Sequence, residues 1–594
     1  MKLTLIFFLI TTIFCELNSE YTWEKVKVPE YETLTTAFHN QSINRRLCRF
    51  TPKFGWMNDP NGMWIDATKT SPVYHLYFQF NPQDTVWGMP LDWGHATSTN
   101  LLEWTELEPA FGPEDGKSGA YSGSMFIDDE NMSKMFTNAN NLNLIAAYTF
   151  NDENWTETQY LYFSGDEGNT FNKTISFENP VVSHDNPNFV KQFRDPQVVK
   201  FKKENKKGYL MSVAKSQEYK IAFYLSTTDL KKGTWEKQID LELEGFLGYQ
   251  YECPNLAHLK NDDNQLTGEQ GSYWVLFISI NPGSIQGGSS TWYLFGDFEL
   301  KDELFYFNPA TKYPAPLDYG KDFYAMQLFY QIKEDSELES GSDYAYGIAW
   351  ASNWQYTGSV PTDPWRSSMS LPRKISIGHF QSSPETKILY IKSEPFYEKT
   401  SSKLNIPNKL TNHFDGTLNQ ASSSTSFKIT ENDSDIQGSI FFEITITVLN
   451  TEEFENSNPG HIDFYFKGAN DNSEYLRFGY EQKATAFYLD RSHSNVPWVF
   501  ENPYFSDKVS LNVMPYQEYE NQENKPADTV QYYVKGFIDR NIIELFFNEG
   551  YQTSTNTFFF TGGNFINEVE IKVDYGEKGF QVLMNADQIT QKTS

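Results

Sequence analysis

The sequence predicts an all-β protein: a five-bladed β-propeller at residues 40–398, followed by a C-terminal β-sandwich at 426–594. Three observations carry this. Aromatic residues make up 16% of the chain (48 Phe, 36 Tyr, 14 Trp), and rings among frequent Thr, Val and Ile favour strands over helices. A turn-like phrase returns at a nearly constant interval through the first two-thirds of the chain. Beyond residue 398 the texture changes and strand-like runs without that period take over.

The repeated phrase is a polar turn leading into a ring. It reads Ser98-Thr99-Asn100-Leu101-Leu102-Glu103-Trp104, then Ser164-Gly165-Asp166-Glu167-Gly168-Asn169-Thr170-Phe171. It returns as Ser226-Thr227-Thr228-Asp229-Leu230 closing on Trp235, and more faintly as Gly296-Asp297-Phe298 running to Phe305. Starts at 98, 164, 226 and 296 lie 66, 62 and 70 residues apart. A polar turn followed by a ring that re-enters the core is the mark of a repeated hairpin. A fixed period in an all-β chain points to a propeller, and the length from about 45 to 395 accommodates about five such units.

Residues 399–425, rich in Ser, Thr, Asn and Lys, read as a linker. Ile440–Val448, His461–Phe466 and Ile542–Phe547 then read as strands of a sandwich. No helix of convincing length is predicted in either part. At the N-terminus, Met1-Lys2 and the mostly apolar run Leu3–Phe14 are too short to span a bilayer and fit a secretory signal over residues 1–19. A secreted product is expected, extracellular or held in the cell wall or periplasm. Sequons at Asn40, Asn131, Asn154, Asn172 and Asn432 suit a glycoprotein. Loss of the leader leaves Cys48 and Cys253, too few for a disulfide framework. A net charge of −30 disfavours nucleic acid and anionic membranes as partners and suits a neutral small-molecule substrate. No His/Cys cluster has metal-ligand spacing and no Gly-rich phosphate loop is present, so neither metal nor cofactor is expected.

Three acids share a local grammar. Asp59 precedes Pro60, Asp195 precedes Pro196, and Glu252 precedes Cys253-Pro254. A residue before proline is pushed toward extended backbone, which places each acid near a strand end. The interval from Asp59 to Asp195 is 136 residues and from Asp195 to Glu252 is 57, close to two periods and one. The acids lead their own turn phrases by 39, 31 and 44 residues. Similar phase in different blades brings the three together near the axis at one end. Two carboxyl groups flanking a glycosidic bond are the working parts of a glycosidase, and a third can hold sugar hydroxyls as positive charge develops.

At these residues the chain resembles the family 32 glycoside hydrolases, and within them the secreted invertases of yeasts. The motifs are Trp56-Met57-Asn58-Asp59-Pro60-Asn61-Gly62, Phe193-Arg194-Asp195-Pro196 and Tyr251-Glu252-Cys253-Pro254. Supporting stretches run from Tyr77-Phe78-Gln79 to Ile543-Glu544-Leu545 and include Asp318–Ala325 and Gly347–Trp354. The resemblance implies a five-bladed propeller plus sandwich and a retaining mechanism on terminal β-fructofuranosyl units, with sucrose as the leading substrate. It makes Asp59 the nucleophile, Glu252 the acid/base and Asp195 the transition-state stabiliser. Trp56, Asn58, Gln79, Trp87, Tyr121, Ser122, Arg194 and Trp354 would line the fructosyl pocket. Retention requires Asp59 and Glu252 to lie about 5–5.5 Å apart. Glu252 must hold its proton until it donates it while Asp59 is ionised, so a bell-shaped pH profile centred on mildly acidic pH is expected. Tyr121 and Met89 depart from the family pattern on the leaving-group side and bear on substrate preference. An inulinase-like fructan exo-hydrolase and a fructosyltransferase share the same acids. A silent carbohydrate-binding protein on the same scaffold would need neither a nucleophile nor an acid. Oligomerisation through the C-terminal domain is a further expectation from the resemblance.

Overall fold

A computed structural model describes residues 45–113, 115–135, 142–243, 247–261, 271–331, 335–383, 386–398, 402–432, 436–449, 460–511, 513, 529–574 and 579–591. The segment 1–19 expected to be a secretory signal and the sequon at Asn40 lie outside the described residues. The chain is all-β; the α-helices among the described residues are short, at Asp335–Ser340 and Trp498–Glu501. None is long and apolar enough to cross a membrane.

Between Gly55 and Pro395 the strands form five antiparallel sheets, each built from strands that follow one another in the chain. Their first strands are Gly55–Asp66, Gly119–Ile127, Phe193–Lys203, Gln250–Lys260 and Tyr324–Leu328. These five pack side by side in that order, and the last packs back against the first, closing a ring. The short strand Trp365–Arg366 adds to the ring side of the first sheet in parallel with Gly55–Asp66. Strands lining the ring are covered on both faces. Gly55–Asp66 is buried at nearly every position, so it shows no alternation of polar and apolar residues.

The turn phrase is confirmed in three of its four appearances. Ser98, Ser164 and Ser226 each end the third strand of their sheet. The hydroxyls of Ser98 and Ser164 accept backbone N–H groups of the turn that follows, from Leu101 at 2.7 Å and Gly168 at 2.8 Å. Phe171 and Trp235 return to the core. The fourth appearance is corrected: Gly296-Asp297-Phe298 lies inside the strand Ser290–Lys301, and the hairpin turn is at Asp302-Glu303. Both of those residues have left-handed φ, at 52° and 66°, as a tight two-residue hairpin requires.

The C-terminal strands form two six-stranded sheets that enclose one core. Here alternation is plain: Ile440, Phe442, Ile444, Ile446 and Val448 of Ser439–Leu449 all point inward. Residues 399–425, read as linker from composition, are not structureless. Leu404–Asn405 pairs with Thr590–Gln591, and Asn412–Leu418 is an edge strand of one sandwich sheet. Ser424–Lys428, which begins within that segment, is an edge strand of the other. Edge strands with one wet face carry the polar composition that suggested a linker. Among the sequons, Asn154 and Asn432 are exposed and Asn131 and Asn172 are half-buried. Cys48 and Cys253 are both free and buried.

Candidate active site

The first strands of all five sheets break register at one level. Between Met57 and Pro60, Ala120 and Gly123, Arg194 and Gln197, Glu252 and Asn255, and Tyr324 and Gln327, the ring strand holds one residue more than its neighbour. Such bulges re-aim side chains and are frequent at active sites. The first, third and fourth carry Asp59, Asp195 and Glu252, and the second carries Tyr121 and Ser122. The backbone reading from the prolines needs correction. Asp195 is left-handed (φ 66°) rather than extended, and beside Glu252 it is Cys253 that takes the positive φ, at 49°. The bulge overrides the local preference that proline imposes on its predecessor.

The three acids open onto one cleft of about 420 Å³. Asn58, Gln79, Trp87, Tyr121, Ser122, Arg194 and Trp354 line it with them. Trp56 does not line the cleft. It is 1% exposed, stacks on Trp354 at 5.7 Å, and its indole N–H donates to Asn58 Oδ1 at 2.8 Å. It positions two wall residues from behind. Sequence reasoning missed Trp155, Glu157, Lys191, Gln192, Gln250 and Asn281, which also line the cleft, and Tyr324, whose hydroxyl donates to Glu252 Oε2. Tyr324 lies in the family-like run Asp318–Ala325, and Trp155 is the middle residue of the Asn154 sequon.

Asp59 accepts a hydrogen bond from the Ser122 hydroxyl at 2.8 Å, and the Cys253 thiol lies 3.6 Å from its Oδ2. Burial first, then the nearby Glu252 charge, pushes its carboxyl up to about 6, against the pull of the Ser122, Asn58 and Cys253 hydrogen bonds. Asp195 accepts the Cys253 backbone N–H at 3.0 Å. Burial holds its carboxyl well above the usual range, Arg194 opposes this, and Glu252 and Asp59 reinforce it. Arg194 bridges two acids: Nη2 reaches Glu252 Oε1 at 2.8 Å, and Nη1 reaches both Glu157 oxygens at 3.2 Å. Glu157 also accepts the Phe193 N–H at 2.6 Å, which anchors the guanidinium to the strand that carries Asp195.

A lysine cannot reproduce that planar two-sided bridge. Arg194→Lys is therefore expected to lower kcat by about 10²-fold through misplacement of Glu252. Equal kcat values for the variant and the parent would show that the bridge does not orient Glu252.

Carboxylates converging at the foot of an aromatic-walled cleft on an all-β frame are the equipment of a glycoside hydrolase, and that is the class of this enzyme. Residues 49–391 match the model of the glycosyl hydrolases family 32 N-terminal domain, and residues 408–587 match that of the family 32 C terminal. The chain belongs to glycoside hydrolase family 32. It is 41% identical over 541 residues to invertase 2 of Saccharomyces cerevisiae, covering 91% of this chain and 93% of that one. It is 38% identical over 535 residues to an extracellular exo-inulinase of Meyerozyma guilliermondii, covering 90% and 93%. The structure of β-fructofuranosidase from Schwanniomyces occidentalis complexed with fructosyl-erythritol matches with a TM-score of 0.77 and 34% identity, over 92% of this chain and 98% of that one.

Proposed function

We propose that this enzyme is a secreted β-fructofuranosidase that hydrolyses sucrose and other terminal β-D-fructofuranosides with retention of configuration. The observation that carries the reading is the convergence of Asp59, Asp195 and Glu252 on one cleft. Asp59 attacks the anomeric carbon while Glu252 protonates the glycosidic oxygen, and the leaving sugar departs. Glu252 then takes a proton from water, which displaces Asp59 from the fructosyl–enzyme intermediate. Asp195 and Asn58 hold fructosyl hydroxyls, and Arg194 with Tyr324 fixes the direction of the Glu252 carboxyl.

The printed names of the relatives, invertase and β-fructofuranosidase, support this substrate class. The ring of five first strands supports reading the sheets as five propeller blades, with residues 40–398 as the catalytic unit and 426–594 as the sandwich. The apolar N-terminal leader and the extracellular relative support secretion and glycosylation at the sequons. Proton NMR of sucrose hydrolysis by the purified protein tests the mechanism. The β-anomer of fructose is expected first; α-fructose first, or no cleavage, overturns it.

The acid limb of kcat/KM belongs to Asp59, which must be ionised to attack. With its carboxyl near 6 in the free enzyme, kcat/KM for sucrose is expected to fall about tenfold per pH unit below that value. A limb in the ordinary aspartate range near 4 would contradict a buried, charge-coupled Asp59.

A further inference from the structure

Trp155 is the feature of the cleft that the reaction does not use. It lies in the turn between strands Leu144–Asn151 and Glu157–Ser164 of the second sheet. It is 47% exposed, although it lines the same cleft as the acids. Its φ is 65°, uncommon for a bulky side chain. The turn is pinned by Asp152: the Trp155 N–H donates to its carbonyl at 2.9 Å, and the N–H groups of Asn154 and Thr156 donate to its Oδ1 at 2.9 and 2.8 Å. A strained conformation held by so many bonds keeps one large ring at the rim.

That ring continues a wall. Tyr121, next to the Ser122 that holds Asp59, lies 6.4 Å from Trp87, and Trp87 lies 6.4 Å from Trp155 with the planes 30° apart. Three rings thus climb from the reacting acids to the mouth, each step about the width of a sugar ring. Sugar rings present an apolar C–H face that packs on aromatic side chains, while a few polar groups fix their orientation. Lys191, Gln250 and Asn281 line the same cleft and supply such groups.

We propose that Trp155 is the platform of an outer subsite, one sugar beyond the ring bonded to the departing oxygen, and that it selects for fructan oligomers over sucrose. This rests on the fructosidase reading of the cleft. A terminal fructosyl unit occupies the acids, the next sugar lies against Trp87, and a third residue reaches Trp155. Sucrose has no third residue. Binding energy from Trp155 therefore acts only on longer substrates.

The test uses the full-length glycosylated enzyme with Trp155→Ala and Trp155→Phe; both keep the Asn154–Thr156 sequon intact. Kinetics are compared on sucrose and on 1-kestose, which is sucrose with one more fructosyl unit. Trp155→Ala is expected to lose about tenfold in kcat/KM on 1-kestose, mostly through KM, and less than about twofold on sucrose. Trp155→Phe should keep most of the 1-kestose activity. Equal losses on both sugars, or no loss on either, overturns the subsite while leaving the hydrolase reading intact. Parent enzyme that cleaves neither sugar overturns both.

Discussion

Replacing Asp59 by Asn is expected to lower kcat by about 10⁴-fold or more while making the protein more stable at neutral pH. The first effect follows from chemistry: an amide cannot form the fructosyl–enzyme bond, and removing a nucleophile costs that order of rate. The second follows from burial. Asp59 is only 8% exposed, and its carboxyl sits near 6 in the fold against 3.8 ordinarily. A carboxyl raised by folding binds its proton more tightly in the native state, so it costs nothing below about pH 4. It opposes folding increasingly as pH rises to about 6, by roughly 3 kcal/mol when fully ionised. Asn carries no such cost. The thermal midpoint of Asp59→Asn should therefore match the parent near pH 4 and exceed it by a few degrees at pH 7. Equal midpoints at both pH values would mean that Asp59 is not strained in its ionised form. Residual activity above about a hundredth of the parent would remove Asp59 from the nucleophile's role.

The acids were legible because three signals coincided: carboxylate chemistry, a following proline, and a spacing matched to the turn phrase. The C-terminal sandwich was legible because strands such as Ser439–Leu449 alternate. What sequence could not show was set by tertiary approach. The left-handed backbone at Asp195 arises from a bulge, which depends on the pairing partner rather than on Pro196. Trp155 sits in an ordinary polar turn, and nothing local says that it reaches a cleft or stacks on Trp87. Trp56 illustrates the converse: its motif is recognisable, but whether the ring faces sugar or supports Asn58 depends on Trp354. Gln552–Thr557 is composed of Gln, Thr, Ser and Asn alone and is nevertheless buried throughout. Its threonines bond Asp318 and Asp322 from the connection between the fourth and fifth sheets, with Thr555 Oγ1 to Asp318 Oδ2 at 2.9 Å and the Thr557 N–H to Asp322 Oδ2 at 2.7 Å. Where the seam is satisfied by such polar pairs, no apolar stripe marks it in the sequence.

That seam makes Glu544→Ala the substitution with the largest expected loss of stability. Glu544 belongs to the C-terminal strand Ile542–Phe547 and is fully buried against the N-terminal sheets. It accepts Arg49 Nε at 2.9 Å, Arg373 Nη2 at 2.7 Å and the Leu371 N–H at 2.8 Å. Both arginine side chains are fully shielded from solvent. Asp539 still faces Arg49 at 3.2 Å and Asp318 faces Arg373 at 3.4 Å, so the alanine variant leaves each buried cation with only its second, longer carboxylate partner. Breaking a buried pair on one side costs about 3–5 kcal/mol, far more than the pair itself contributes. The protein should unfold at a lower urea concentration and a clearly lower temperature. A single Glu544→Ala variant with an unshifted midpoint would show that Asp539 and Asp318 suffice. The effect reaches function because Arg49 leads directly into Gly55–Asp66, the strand that presents Asp59. Loosening this seam should therefore abolish activity at a temperature at which the sandwich core still holds, measurable as a gap between the inactivation midpoint and the loss of far-ultraviolet β signal.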